Sequence, residues 1–222
     1  MIDFTDVRLF YTKTGSAKYI SHLDVMRAFQ RAFKRSKIDF WYTEGFHPHL
    51  YLTFALPLSL GYESLAETVD FRLVSPLDYD EITERINKAL PVGFEAVKAA
   101  KPVMDAKKIK YAEYDISFLS DCEKEQMISL WNSCFDRDSV IVSKRTKKGD
   151  SELDIKPHIK LTELRYNDDG KYHFSALLAA GVEFNINPEL IFSAFRNFSD
   201  IEINDISVVR TNVYNEKMKK FC

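Results

Sequence analysis

The chain has 222 residues, 45% hydrophobic and 14% aromatic, a composition that excludes disordered and fibrous proteins. Its 31 Lys and Arg residues against 33 Asp and Glu residues give a formal charge of −2, so binding of an anion depends on local clustering of cations. Three widely spaced cysteines favour a reducing compartment, and neither a signal peptide nor an apolar run of about 18 residues occurs. We therefore expect a cytoplasmic protein that makes no membrane contact.

The hydrophobic period of the first half alternates between two and 3.6 and predicts the order βαββαβ. Strands are expected over residues 7–12, 40–43, 50–55 or 68–73, and 94–102, and helices over 22–37 and 78–89. Ser21, with Asp24 three residues later, is a candidate N-cap of the first helix. Asp78 is a candidate N-cap of the second.

After a charged connector at 105–108 a similar order follows. Strands are expected over 111–118, 140–144, 155–164, 173–178 and 201–210, and helices over 122–132 and 188–198. A split βαβ half covers only one face of its sheet with helices, so we predict an α+β fold of two ferredoxin-like halves packed side by side. The expected domains are residues 1–104 and 105–222.

The first helix combines an apolar stripe with a basic face. Leu23, Met26, Phe29 and Phe33 recur at helical spacing, and the other side carries Arg27, Arg31, Lys34 and Arg35. Between Lys13 and Lys37 there are seven basic residues against Asp24 alone, a net charge of +6. This face is either simply solvated or a surface for the phosphates of a polyanion.

The segments that flank this helix add cations, aromatic rings and imidazoles. A helix cap accounts for Ser21 and Asp24. Lys18 and Tyr19, close to His22 in the sequence, could instead hold a phosphate or a base between a cation and an aromatic ring. The turn at 45–49 carries Phe46, His47 and His49. For the two histidines, metal binding, acid–base work, and hydrogen bonding within the loop or to a ligand all stay open. We expect no metal site and no cofactor. The candidate RNA-binding residues of this half are Lys13, Lys18, Tyr19, His22, Arg27, Arg31, Lys34, Arg35, Phe46, His47 and His49.

The second half adds three candidate RNA-binding cations, Lys144, Arg145 and Lys156. The first two are interpreted either as an ordinary solubilising hairpin tip or as an arm that contacts RNA phosphates. In an extended strand, Asp154, Lys156 and His158 would share one face.

Common catalytic signatures are missing from the sequence. It contains no GxxxxGK[ST], GxGxxG, GxSxG, HExxH, SxxK or CxxC element. We therefore name no catalytic residue and expect a binding module rather than an enzyme.

Six segments resemble the bacterial radical SAM-linked protein family, whose function is unassigned. They are YTKTG (11–15), KYISHLD (18–24), RAFQR (27–31), EGFHPH (44–49), FALPLSLG (54–61) and, later, DIKPHI (154–159). Members of that family are encoded beside, or fused behind, a cobalamin-binding-type radical SAM protein, often near ribonuclease and ribosomal protein genes. The family commonly has Asn at the position of His47 and Pro at that of Leu50. The resemblance implies a radical SAM protein and RNA, tRNA or rRNA, as partners.

Three functional hypotheses follow from these patterns. The first is a non-catalytic RNA-binding accessory module of a radical SAM RNA-modification system. The second is a stand-alone RNA-processing or RNA-modifying enzyme that uses His22, Asp24, His47 and His49 as acid–base groups. The third is a scaffold that contacts the radical SAM enzyme and no nucleic acid.

Overall fold

The computed structural model describes residues 4–146 and 149–222, without the side chains of residues 144–150. The protein is of the mixed α+β class. It divides into two compact units, Met1–Lys108 with Lys220–Cys222, and Ile109–Lys219. No helix within the described part has the length and apolar character required to cross a membrane.

The first unit has the order βαββαβ along the chain. Its elements are β1 (Thr5–Lys13), α1 (His22–Ser36), β2 (Leu52–Phe54), β3 (Glu63–Leu73), α2 (Tyr79–Asn87) and β4 (Phe94–Ala100). The strands lie in the order β4-β1-β3-β2, and each neighbouring pair is antiparallel. Both of the segments between which the sequence left a choice, 50–55 and 68–73, thus contain strand.

The expected strand at 40–43 does not form. Phe40 and Tyr42 make only isolated bridges, to Leu73 and Leu50. Alternating apolar residues are compatible with a strand, but a strand also requires a partner edge along its length. β2 already pairs with β3 over Phe71, Asp70 and Val69, next to Leu73.

Local interactions define the ends of the two helices. The Ser21 hydroxyl accepts a hydrogen bond from the Asp24 amide at 3.2 Å, which satisfies one of the free donors at the start of α1. Lys37 then leaves the helix in the left-handed region, at φ 56°. Asp78 caps α2 through the amides of Asp80 and Glu81.

The core of the first unit lies between one face of the sheet and the two helices. Alternate residues of β1, Val7, Leu9 and Tyr11, point into it. α1 contributes Val25, Phe29, Ala32 and Phe33. The predicted apolar stripe was therefore wrong at its first member, because Leu23 is exposed.

The second unit has a similar strand order and an additional hairpin. Its elements are β5 (Ile109–Leu119), α3 (Lys124–Phe135), β6 (Ile141–Thr146), β7 (Gly149–Asp154), β8 (Ile159–Leu161), β9 (Arg165–Tyr166), β10 (Tyr172–Ala179), α4 (Glu189–Phe198) and β11 (Asn204–Asn215). The sheet runs β11-β5-β10-β8, with β9 also paired to β10, and β6 and β7 form a separate two-stranded sheet.

Trp131 of α3 lies at the centre of the second core. Its ring is 4.8 Å from that of Phe174 and 5.2 Å from that of Phe195, measured between centroids. Such a cluster buries a large apolar area and accounts for the packing of both helices on this sheet.

Candidate nucleic-acid interface

Three cations share the solvent face of α1. At about 100° per residue, Arg27, Arg31 and Lys34 fall within an arc of about 60°, opposite the residues that enter the core. All three side chains are exposed. From here on we call these three residues the cation row.

Only one carboxylate approaches the cation row within the described chain. Arg27 Nη1 lies 2.9 Å from Asp24 Oδ1, with the two side chains 64% and 54% exposed. Such an exposed pair contributes little to stability, and another anion readily replaces Asp24 in it. The side chains of Arg31 and Lys34 make no hydrogen bond or ion pair with any described residue. The row therefore presents positive charge to solvent.

Asp24 is held ionised by its surroundings. The hydrogen bond from the Ser21 hydroxyl, at 2.7 Å, is the main cause, and hydrogen bonding from Arg27 adds to it. Together they hold the pKa of Asp24 below its ordinary value. The carboxylate thus serves the helix cap as well as Arg27.

Arg35 follows the cation row but is engaged within the unit. Its Nη2 donates to the carbonyl of Ala89 at 2.6 Å. This hydrogen bond ties the last turn of α1 to the chain that follows α2. Arg35 therefore contributes positive charge near the row while its guanidinium is tethered.

A 3₁₀ turn, Gly15–Tyr19, precedes α1 and carries Lys18 and Tyr19. Lys18 Nζ lies 3.5 Å from Glu63 Oε1, and the same nitrogen is 5.4 Å from the centroid of the Tyr19 ring. The Tyr19 side chain is 70% exposed. Tyr19 thus offers a solvent-facing ring close to the start of α1.

Lys13, a predicted RNA contact, is buried near the start of α1. Its Nζ donates to the carbonyl of Ile20 at 3.1 Å. Lys13 is only 3% exposed, and Glu67 on β3 is 5% exposed. The Lys13 ammonium therefore does not face solvent, and its charge acts on neighbours inside the unit.

His22, the first residue of α1, lies in the field of these two buried residues. Burial lowers the pKa of its imidazole, the Glu67 carboxylate opposes that change, and the Lys13 ammonium adds to it. The ring meets Phe54 edge to face, with 5.3 Å between centroids. His22 is thus half-buried and favours its neutral form.

The turn at 44–49 presents Phe46 and two histidines. Phe46 is fully exposed, and His47 is exposed too. His49 Nδ1 lies 2.9 Å from Thr43 Oγ1 and 3.2 Å from the carbonyl of His47, while its amide donates to Thr43 Oγ1 at 3.1 Å. These contacts are hydrogen bonding within the loop, one of the three interpretations of the sequence. No group of His, Cys, Asp and Glu side chains suited to a metal ion occurs among the described residues.

The predicted contacts of the second half belong to the second unit. Lys156 Nζ donates to the carbonyl of Phe135, and the side chains of Lys144 and Arg145 lie outside the described residues. Asp154, Lys156 and His158 do not share a strand face, because Lys156–His158 forms a 3₁₀ turn. Asp154 instead accepts from the amides of Val140 and Lys156, at 2.9 and 3.0 Å.

Two exposed leucines, one on α1 and one beside the 3₁₀ turn that precedes it, were not predicted as site residues. Leu23 is 63% exposed, and at about 100° per residue it lies only about 40° from Arg27. Its angular position was therefore available from the sequence. Leu60 is equally exposed, and its place beside the 3₁₀ turn depends on the hydrogen bond from the Gly61 amide to the carbonyl of Lys18, at 2.8 Å.

Comparison with known proteins identifies a family without naming an activity. Residues 7–188 match the family described as "uncharacterized protein conserved in bacteria" (DUF2344). No curated protein matches the chain.

Proposed function

The chain belongs to this family of uncharacterized bacterial proteins, and since that description names no activity, we propose a function from the surface of the first unit. The protein is a non-catalytic RNA-binding module that serves a radical SAM enzyme. The observation that carries the proposal is the cation row, in which Arg27, Arg31 and Lys34 are exposed together on one face of α1.

The cation row suits the phosphates of a nucleic acid. Successive turns of a helix lie about 5.4 Å apart, so the row follows a line of charges about 10 Å long. Each phosphate that pairs with a cation releases condensed counterions, a term that favours binding without regard to sequence. Because the overall charge is −2, this attraction depends on local clusters of cations such as the row.

Exposed aromatic rings favour RNA with accessible bases. Tyr19 precedes the row in the chain and Phe46 follows it. Unpaired bases stack on such rings, which is how many proteins hold RNA loops and ends. We assign phosphate contact to the row and base stacking to Tyr19 and Phe46.

The radical SAM partner rests on the family resemblance of the sequence. In this arrangement the partner supplies the radical chemistry, and the module holds tRNA or rRNA for it. We also infer that both units are ferredoxin-like, which their strand orders β4-β1-β3-β2 and β11-β5-β10-β8 support.

A second candidate function, a stand-alone RNA-processing or RNA-modifying enzyme, is favoured by one observation. His22 is half-buried and lies in the field of two buried charged residues, Lys13 and Glu67, and clusters of this kind are common at catalytic sites. This enzyme would change cellular RNA without a partner. If mass spectrometry finds a product with the purified protein and none with His22→Ala, the non-catalytic proposal is wrong.

The main experiment measures RNA retention by a charge-reversed row. In Arg27→Glu/Arg31→Glu, low-salt binding of total bacterial RNA should fall at least tenfold. The matched control is Lys107→Glu/Lys108→Glu, which makes the same charge change at two exposed lysines outside α1 and should retain RNA. Equal retention by both double variants would reject the row as the RNA surface.

Capture from the native cell tests the partner. Affinity purification with RNA sequencing and protein identification should recover a radical SAM protein together with tRNA or rRNA. Recovery of that protein without RNA, even after crosslinking, would instead support the scaffold.

A further inference from the structure

Three exposed apolar side chains belong to the start of α1 and to the segments beside it. Tyr19, Leu23 and Leu60 are 70%, 63% and 63% exposed. The hydrogen bond between the Gly61 amide and the Lys18 carbonyl, 2.8 Å long, brings the turn that carries Leu60 next to the residue before Tyr19. Leu23 lies one helical turn before Arg27 on the same face. We call these three residues the apolar end.

Apolar side chains beside exposed cations restrict the chemistry of the ligand. A ligand that follows the row must be anionic at repeated positions, and one that covers the apolar end must also offer an apolar face. An RNA duplex keeps the faces of its bases inside the stack and offers phosphates and 2′-hydroxyls instead. An unpaired RNA strand offers both phosphates and free base faces.

We propose, on the basis of the proposed function, that the ligand is an unpaired RNA segment, with one base on the Tyr19 ring between Leu23 and Leu60 and the neighbouring phosphates along Arg27, Arg31 and Lys34. Duplex RNA is the weaker ligand, because it engages the row and leaves the apolar end uncovered. The substrate class is thus a loop, bulge or single-stranded end.

The Tyr19 ring already meets a cation on one side. Lys18 Nζ lies 5.4 Å from the ring centroid, and its ion pair with Glu63 holds it there. A base would stack on the exposed part of the Tyr19 ring. The adjacent phosphate would then contact Arg27, the first residue of the cation row. The Asp24–Arg27 ion pair would open when phosphate replaces Asp24 as the partner of Arg27.

Fluorescence anisotropy with the full chain at low salt tests this assignment. Three labelled probes are used: an oligouridylate of about ten nucleotides, a blunt RNA duplex of equal length, and an abasic oligomer of equal length. We expect the single strand to bind at least tenfold more tightly than the duplex. Tyr19→Ala should weaken binding of the single strand about tenfold and leave binding of the abasic oligomer unchanged.

Two further variants locate the effect. Leu23→Ser removes apolar surface from an exposed position. It should weaken binding of the single strand and leave binding of the duplex and of the abasic oligomer unchanged. Tyr166→Ala, at an exposed tyrosine of the second unit, is the matched control and should leave the affinity for all three probes unchanged.

The outcomes separate this inference from the function on which it rests. Two results would overturn the inference and leave the RNA-binding function intact. One is equal affinity for the single strand and the duplex. The other is that Tyr19→Ala weakens binding of the abasic oligomer as much as binding of the single strand. No binding of any RNA at low salt overturns both. Displacement of the single strand by polyglutamate as effectively as by unlabelled oligouridylate shows recognition of charge alone and also overturns the inference.

Discussion

Arg8 on β1 donates two parallel hydrogen bonds to the carboxylate of Asp70 on β3, from Nε and Nη2, each 2.7 Å long. The two residues face each other in the strand register, and Arg8 is 1% exposed. Arg8 Nη1 also donates to the carbonyls of Met104 and Cys222, at 2.9 and 2.7 Å, and the Phe221 ring covers the guanidinium with its centroid 4.2 Å away. One side chain thus joins two strands to two later segments of the first unit.

Arg8→Lys should destabilise the first unit by about 2 kcal/mol. A lysine ammonium cannot donate to all of the oxygens that the planar guanidinium reaches, so some of these acceptors lose their hydrogen bonds. Urea unfolding followed by circular dichroism measures the loss. Lys88→Ala, which removes an exposed ion pair with Glu84, is the control and should leave the unfolding midpoint nearly unchanged. Equal losses in the two variants would contradict the importance given to the Arg8 contacts.

Gly93 allows the turn before β4 to pack against the 3₁₀ turn that precedes α1. A Cβ there would lie 2.7 Å from both the Cβ of Ala17 and the carbonyl oxygen of Thr14, and the residue has φ +87°. Gly93→Ala should therefore cost about 3 kcal/mol, from backbone strain and overpacking together. Gly61→Ala is the control, because φ is +86° and nothing lies within 4 Å, so only the strain of about 1 kcal/mol applies. Similar melting temperatures for the two variants would show that the close approach at Gly93 relaxes without cost.

Asp24 should titrate below its ordinary pKa of 3.8, with Ser21 as the larger cause and Arg27 as the smaller. Its folded-state pKa is lowered, so the ionised carboxylate stabilises the native state above pH 3.8, and this contribution disappears as the pH falls through the folded value. Carbon-detected NMR titration should give a larger upward pKa change for Ser21→Ala than for Arg27→Ala. The reverse order would mean that the ion pair, rather than the cap, controls Asp24.

His22 should titrate below its ordinary pKa of 6.5, mainly because it is partly buried. The folded state then binds the proton of His22 less readily than the unfolded state does. The contribution of His22 to stability is therefore complete above pH 6.5 and declines as the pH falls from there to the folded pKa. Glu67→Gln should lower the pKa of His22 further, since the Glu67 carboxylate raises it. NMR titration of the imidazole checks this, with Glu63→Gln as the control that leaves the pKa unchanged. A higher pKa in Glu67→Gln would refute the electrostatic account.

RNA affinity should depend on salt as expected for three phosphate contacts. The logarithm of the association constant for a single strand should fall against the logarithm of salt concentration with a slope of roughly −2. Lys34→Ala should reduce the magnitude of that slope by about 0.7. Arg35→Ala should leave the slope nearly unchanged and lower thermal stability, because its guanidinium is bound to Ala89. A change of slope in Arg35→Ala equal to that in Lys34→Ala would place Arg35 in the row.

The helix ends were the most predictable part of the fold. α1 was expected over 22–37 and occupies His22–Ser36, and α2 was expected over 78–89 and occupies Tyr79–Asn87. Caps such as Ser21 and Asp78 act on amides two or three residues away. Interactions of such short range are visible in the sequence itself.

Two strand predictions failed because pairing depends on distant partners. The segment 155–164 was expected to be one strand, but only Ile159–Leu161 pairs with β10. Pro157, which lacks an amide donor, lies in the 3₁₀ turn just before it. In the segment 40–43, likewise, Phe40 and Tyr42 form isolated bridges with Leu73 and Leu50 instead of a strand.

The sequence by itself determined that Arg27, Arg31 and Lys34 share one face of a helix, because side-chain direction in a helix depends only on residue number. The same rule placed Leu23 on that face, although its apolar character suggested the core. Tertiary structure alone decided that Lys13 is buried and that Arg35 and Lys156 bind the carbonyls of Ala89 and Phe135. Burial and hydrogen bonding depend on residues that folding brings together, and the position of a charge along the chain does not determine them.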